Sequence, residues 1–141
     1  MPIIEKSILI SASPEEVFAI IVNVENMSDL SPSIKKVTRI SNNSYHWEVN
    51  LAGMALEWDA ELLKTEKPKY LSWRSIRGIE NCGEYVLEPQ DGKTRLIFRM
   101  EYHLPSRVFE VVVNTFLESS FNRWLAEILS NLKKVIEKRR D

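Results

Sequence analysis

What most restricts the fold of this chain is its last third, from Ser106 to about Arg139. Taken in steps of four, one row runs Val112, Phe116, Ser120, Trp124, Ile128, Leu132, Ile136, and the row beside it Phe109, Val113, Leu117, Phe121, Leu125, Leu129. The other two rows are mostly polar, with Glu110, Asn114, Glu118, Asn122 and Lys134 among them. Residues four apart lie almost above one another on a helix, so the spacing predicts a long amphipathic helix with one broad apolar face. At 1.5 Å per residue it would be roughly 50 Å long. Burying that face takes a large apolar partner surface, which the preceding residues must supply.

They supply a sheet. Ile3 to Ser11 reads as a first strand, with Ile4, Ile8 and Ile10 on one face and Lys6 as the exception. Ser13-Pro14-Glu15-Glu16 then starts a short helix as a capping box, and Val17, Phe18, Ile20 and Ile21 form its buried side. A second short helix is expected from Glu25 to Leu30, stopped by Pro32. From Ile34 to Tyr102 the pattern becomes strands divided by turn signals: Ile34–Ile40, Tyr45–Leu51, Met54–Thr65, Tyr70–Ile76, Glu84–Glu88 and Thr94–Tyr102. Gly78 to Gly83 reads as one of the connections. Short links between consecutive strands imply an antiparallel meander.

Alternation gives the faces. Leu56, Trp58, Ala60 and Leu62 oppose Glu57, Asp59 and Glu61; Tyr45, Trp47, Val49 and Leu51 oppose His46, Glu48 and Asn50. Leu71, Trp73 and Ser75 oppose Ser72 and Arg74, and Leu96, Phe98, Met100 and Tyr102 oppose Arg95, Arg99 and Glu101. One apolar and one polar face describe an antiparallel sheet solvated on one side. Ile34–Ile40 gives no consistent faces. The expected fold is therefore α+β: a curved sheet of about seven strands wrapped around the C-terminal helix, with two short helices after the first strand.

At 141 residues the chain suits a single domain, 1–141, with one core. Its net charge of −1 leaves no bulk basic surface for nucleic acid. The cationic tail (Lys133, Lys134, Lys138, Arg139, Arg140) reads first as a solvated helix end. Cys82 has no partner for an internal disulfide, and no apolar run is long enough for a signal peptide or a transmembrane segment, so the cytoplasm is the expected location. The sequence leaves the oligomeric state open.

Helix and sheet together would point Trp47, Trp58, Trp73, Tyr85, Phe98, Tyr102, Phe116 and Trp124 inward. Such rings can fill a core or line a pocket. Tyrosine and tryptophan carry polar tips that suit a partly wet wall. Ser120 is the only polar residue in either apolar row, and either bonds its own backbone or faces a ligand. Arg77 continues the Leu71-Trp73-Ser75 face, which would place its guanidinium at a cavity mouth or let it snorkel to water.

This order of elements resembles the START-like, helix-grip superfamily, and in it the polyketide cyclase/dehydrase branch that includes coenzyme-Q-binding START domains. The resemblance is carried by Ile8 through Phe18, Trp47, Gly53, Trp58-Asp59-Ala60-Glu61, Pro68, Leu71-Ser72-Trp73, Gly83 and Gly92-Lys93-Thr94-Arg95, and it covers essentially the whole chain. It implies a hydrophobic cavity between sheet and helix that binds, carries or sometimes transforms lipids, quinones or polyketides. Cyclases of this fold are understood to orient substrate with polar cavity residues, notably arginine and tyrosine. By parity Arg74, Arg95 and Arg99 face outward, which leaves Arg77, Tyr85 and Tyr102 as inward candidates.

No phosphate loop, nucleophile elbow or cysteine–histidine pair is present, so no catalytic residue is assigned. His46 and His103 give no metal-ligand spacing, and neither a metal nor a cofactor is expected. Glu57, Asp59 and Glu61 read as one side of cross-strand ion pairing. Three functions stay in play: a binder or carrier of a hydrophobic small molecule, a polyketide aromatase/cyclase, and an interaction module acting through the outer sheet or the basic tail.

Overall fold

The computed structural model describes residues 3–51, 53–103 and 107–140, with side chains in the last segment described at 119–138. Strand β1 (Ile3–Ile10) leads into helix α1 (Pro14–Ile21) and a 3₁₀ segment (Val24–Leu30). The meander follows as β2 (Ile34–Ser41), β3 (Ser44–Leu51), β4 (Met54–Glu66), β5 (Tyr70–Gly78), β6 (Glu80–Gln90) and β7 (Lys93–His103), and helix α2 (Arg107–Arg140) closes the fold. The start of α1 is fixed as its sequence dictates: the Glu16 N–H donates to Ser13 Oγ at 3.3 Å, and Pro14 opens the first turn.

One sheet holds seven strands in the order β1-β7-β6-β5-β4-β3-β2, with every neighbour antiparallel. This is the expected α+β helix-grip architecture. Its inner face meets α2 through Phe121, Trp124, Leu125, Ile128, Leu129, Leu132 and Ile136, all buried and all from the two apolar rows. Polar bonds fix the helix lengthwise. Lys133 Nζ donates to the Leu9 carbonyl at 2.8 Å, the Ser11 N–H to Glu137 Oε2 at 2.8 Å, and Asn131 Nδ2 to the Leu30 carbonyl at 2.7 Å.

The sheet's curvature has local causes. Register shifts fall between Ile34 and Lys36, between Arg39 and Ser41, between Leu62 and Lys64, and at Ile76, which lies between Ser75 opposite Ala60 and Arg77 opposite Asp59. An extra residue on one strand bends it and increases its twist. Three of the extra residues, Ile40, Leu63 and Ile76, are large apolar side chains left more than half exposed. The two shifts in β2 explain why that strand shows no consistent alternation.

Boundaries differ from expectation mainly around β6. The stretch from Glu80 to Gly83, read as a connection, is the first part of that strand and pairs with β7 from Glu80↔His103 onward. The turn before it is Gly78, at φ +81, where an added Cβ would sit 2.4 Å from the Glu57 carbonyl oxygen. Only glycine fits there.

Candidate ligand cavity

Strands β3 to β7 each contribute one or two rings to the inner face. Trp47 and Trp58 are cross-strand partners and stack with centroids 5.7 Å apart and planes 11° from parallel. Trp73, Tyr85 and Phe98 form a second cluster, with Trp73 5.6 Å from each of the others and Tyr85 meeting Phe98 edge-on at 5.2 Å. Gly83 makes this cluster possible. It lies directly opposite Trp73, and a Cβ on it would fall 2.5 Å from two carbons of the indole. The ring lies across β6 because no side chain occupies that point.

These rings do not fill the interior. With Trp124, Leu125, Ile128 and Leu129 from α2, and Ile21, Val24 and Met27 from the short helical segments, they enclose an apolar space of ≈ 80 Å³. One water needs roughly 10–15 Å³ measured this way, so several such volumes are available. An interior packed solid, which would leave no room for a guest, does not describe this molecule.

Several polar groups of the wall are tied by hydrogen bonds. Trp73 Nε1 donates to Asn81 Oδ1 at 3.1 Å, Asn81 Nδ2 donates to the Ile79 carbonyl at 2.9 Å, and the Asn81 N–H donates to Ser75 Oγ at 2.9 Å. Trp124 Nε1 donates to Ser31 Oγ at 3.2 Å. Glu61 reaches the wall while its carboxylate accepts from Arg74 Nε at 2.9 Å on the solvent side. Burial pushes the Tyr85 phenol above the ordinary tyrosine range, so it stays protonated at any physiological pH.

Six residues expected at a site lie together in this wall: Trp47, Trp58, Trp73, Tyr85, Phe98 and Trp124. Tyr102 is fully buried but packs on Phe121 at 4.7 Å, and it is not among the described residues of the wall; the same holds for Ser120, buried one turn before Trp124. The side chain of Phe116 lies outside the described residues. Arg77 is a correction. The extra residue Ile76 inverts the parity of the strand, so Arg77 is exposed and stands opposite Asp59 in the strand register, on the outer face, beside a surface depression it shares with Glu57, Glu80 and His103.

Asn81, Tyr45 and Leu71 also line the space. The last two were legible as inward residues by alternation. Asn81 was not, because its stretch read as a turn. On the outer face the acidic row is paired as expected in kind: Glu61 with Arg74, and Asp59 with His46 Nδ1 at 2.6 Å. Sheet register also brings ligand-type atoms of His46, Glu48 and Glu57 within 4.8 Å of one another, a proximity hidden in their linear spacing.

The comparisons agree with this geometry. TTHA0849 from Thermus thermophilus is similar at TM-score 0.89 and 16% identity, over 99% of this chain and 100% of that one. The ZhuI aromatase/cyclase of Streptomyces sp. R1128 is similar at 0.85 and 16%, over 99% and 96%. A START superfamily protein from Mycobacterium smegmatis follows at 0.78 and 15%, over 96% and 97%. At such identities these likenesses speak for the fold alone. Curated proteins give no match. The sequence model described as polyketide cyclase / dehydrase and lipid transport matches residues 1–137, and with nearly the whole chain covered, this protein belongs to that family.

Proposed function

We propose that the protein binds or carries a hydrophobic small molecule, a lipid, quinone or polyketide-like compound, in the space between sheet and α2. The observation that carries this reading is an apolar space held open by two ring clusters, with Trp73 and Trp124 held in place by hydrogen bonds from their indole N–H groups. Burial of apolar ligand surface there is favourable at about 25 cal/mol per Å² before the costs of association. The family's description covers both lipid transport and cyclase chemistry. Arg77, the one arginine among the candidates for orienting a cyclase substrate, is exposed on the outer face, and this favours binding over turnover.

The test is fluorescence titration with N-phenyl-1-naphthylamine, alongside native mass spectrometry of gently purified protein. Wild type should enhance the probe's emission, and Trp58→Ala should weaken binding about tenfold by removing one ring of the stacked pair. A flat titration together with a clean apo mass would remove the reading. A wild-type protein that cyclises a supplied poly-β-ketone, and loses that turnover but not binding in Tyr85→Phe, would replace it with the cyclase reading.

A further inference from the structure

The outer face of the sheet carries a cluster of side chains that owes nothing to the cavity. Register sets His46 opposite Asp59 and, two residues along, Glu48 opposite Glu57. The inward pair between them is Trp47 and Trp58, so the cluster lies directly behind the stacked indoles. Two carboxylates directly across a pair of strands repel one another. The cations beside them in register are Lys36, opposite Glu48, and Arg77, opposite Asp59. Glu57 has Glu48 on one side and, on the other, Ile79, whose N–H donates to the Glu57 carbonyl at 3.2 Å. Three carboxylates thus face two cations, and the cluster is left with negative charge in excess.

His46 turns this from a patch of like charges into a ligand set. Its Nδ1–H donates to Asp59 Oδ1 at 2.6 Å, and that carboxylate is well shielded, with 16% of the Asp59 side chain exposed. The bond fixes the tautomer and the plane of the ring, and so leaves the lone pair on Nε2, which lies 3.8 Å from Glu57 Oε1. A carboxylate behind the far nitrogen is the usual support of a metal-binding imidazole. One ligand-type atom from each of His46, Glu48 and Glu57 lies within 4.8 Å of the others. Bonds of about 2.0–2.2 Å to a tetrahedral ion set its ligands roughly 3.3–3.6 Å apart. The Glu57 side chain, 62% exposed, can change rotamer to close that difference without moving either strand.

The donor set selects the ion. One imidazole nitrogen with two carboxylate oxygens suits a borderline cation such as Zn²⁺, whereas Ca²⁺ and Mg²⁺ favour shells built of oxygen alone.

We propose that His46, Glu48 and Glu57 bind a divalent transition-metal ion of the Zn²⁺ class, with Asp59 as the positioning residue behind the imidazole and water completing the shell. The bound ion ties β3 to β4 across the outer face. Calorimetric titration of tag-free protein with ZnCl₂ tests this, in a Cys82→Ser background that removes the thiol as a competing ligand. One ion per chain should bind, and CaCl₂ at the same concentrations should give no binding. His46→Ala should lower the affinity about a hundredfold and Glu57→Gln about tenfold. Asp59→Asn should cost on the order of tenfold although it touches no ion. His103→Ala, which alters the neighbouring depression, should leave the affinity unchanged. Zn²⁺ should also raise the urea midpoint of the Cys82→Ser protein and leave that of Glu57→Gln, altered at an exposed side chain, nearly where it was.

The absence of Zn²⁺ binding, Ca²⁺ binding as tight as that of Zn²⁺, or Zn²⁺ affinity that survives both His46→Ala and Glu57→Gln would each overturn the proposal. The cavity reading would stand in every one of these cases, because the site lies on the opposite face of the sheet.

Discussion

Two ends of the same sheet, facing the same helix, are built differently. Near β1, the inner face, α1 and the C-terminal turns of α2 form a core of Ile10, Val17, Leu96, Leu132 and Ile136, each at most 2% exposed. Across β3 to β6, Trp47, Trp73 and Tyr85 are only partly buried although they too point inward. Branched aliphatic chains interdigitate and fill space at crystal-like density. Flat rings held by one another, as Trp47 is by Trp58, keep their planes and leave room beside them. Side-chain shape therefore decides which part of a helix-grip interior is solid and which is hollow.

The sharpest way to break that contrast is one substitution made at both ends. Leu132 and Leu71 are each 1% exposed, but only Leu71 borders the cavity. Leu132→Ala should cost about 3–4 kcal/mol, the transfer loss plus a new void. Leu71→Ala enlarges a space that already exists and gives up fewer dispersion contacts, so it should cost about 2 kcal/mol. Urea denaturation measures both. The probe's affinity should change in Leu71→Ala and hold in folded Leu132→Ala. Equal costs and equal affinities would mean that the two ends do not differ.

Next in size is Gly83→Ala. A Cβ there sits 2.5 Å from the Trp73 ring and from the Arg99 carbonyl oxygen, so the indole must shift toward the cavity. Overpacking of this kind costs about 2 kcal/mol, and here it should also weaken probe binding several-fold. A stable variant with unchanged affinity would show that Trp73 has slack, against a rigid-ring account of the space.

How much of this could be read from the chain follows from which interactions are local. The helix rows around Trp124 and the capping box at Ser13 depend on residues within four positions, and both were legible. So were the inward faces of Trp47, Trp58 and Phe98, because period two needs only the strand itself. Arg77 and Gly83 were misplaced for one shared reason. Their settings depend on a partner strand: the extra residue Ile76 is defined only against Asp59 and Ala60, and the space at Gly83 only against Trp73. In hindsight an apolar residue that spoils alternation, such as Leu63 or Ile76, was the available signal for a bulge.

The smallest effect expected concerns how the solid end is fastened. Glu137 on α2 accepts from Lys133 Nζ and from the Ser11 N–H, and Lys133 also donates to the Leu9 carbonyl, so a charged group ties the helix to the end of β1. The Lys133 bond first, and the Ser11 amide second, hold the Glu137 carboxyl below its ordinary range. Because the folded state favours the carboxylate, this contribution is complete above the unfolded glutamate pKa of about 4.3 and is lost as pH falls through the lower folded value. Glu137→Gln should therefore cost about 1 kcal/mol at pH 7, a figure kept small by the partial exposure of the pair, and progressively less as the pH falls through that lowered value. Urea midpoints of wild type and variant that converge as the solution is acidified would show the tie at work. A constant gap across that range would mean that the glutamate acts through its shape, and the acid sensitivity of the solid end would have to come from other groups.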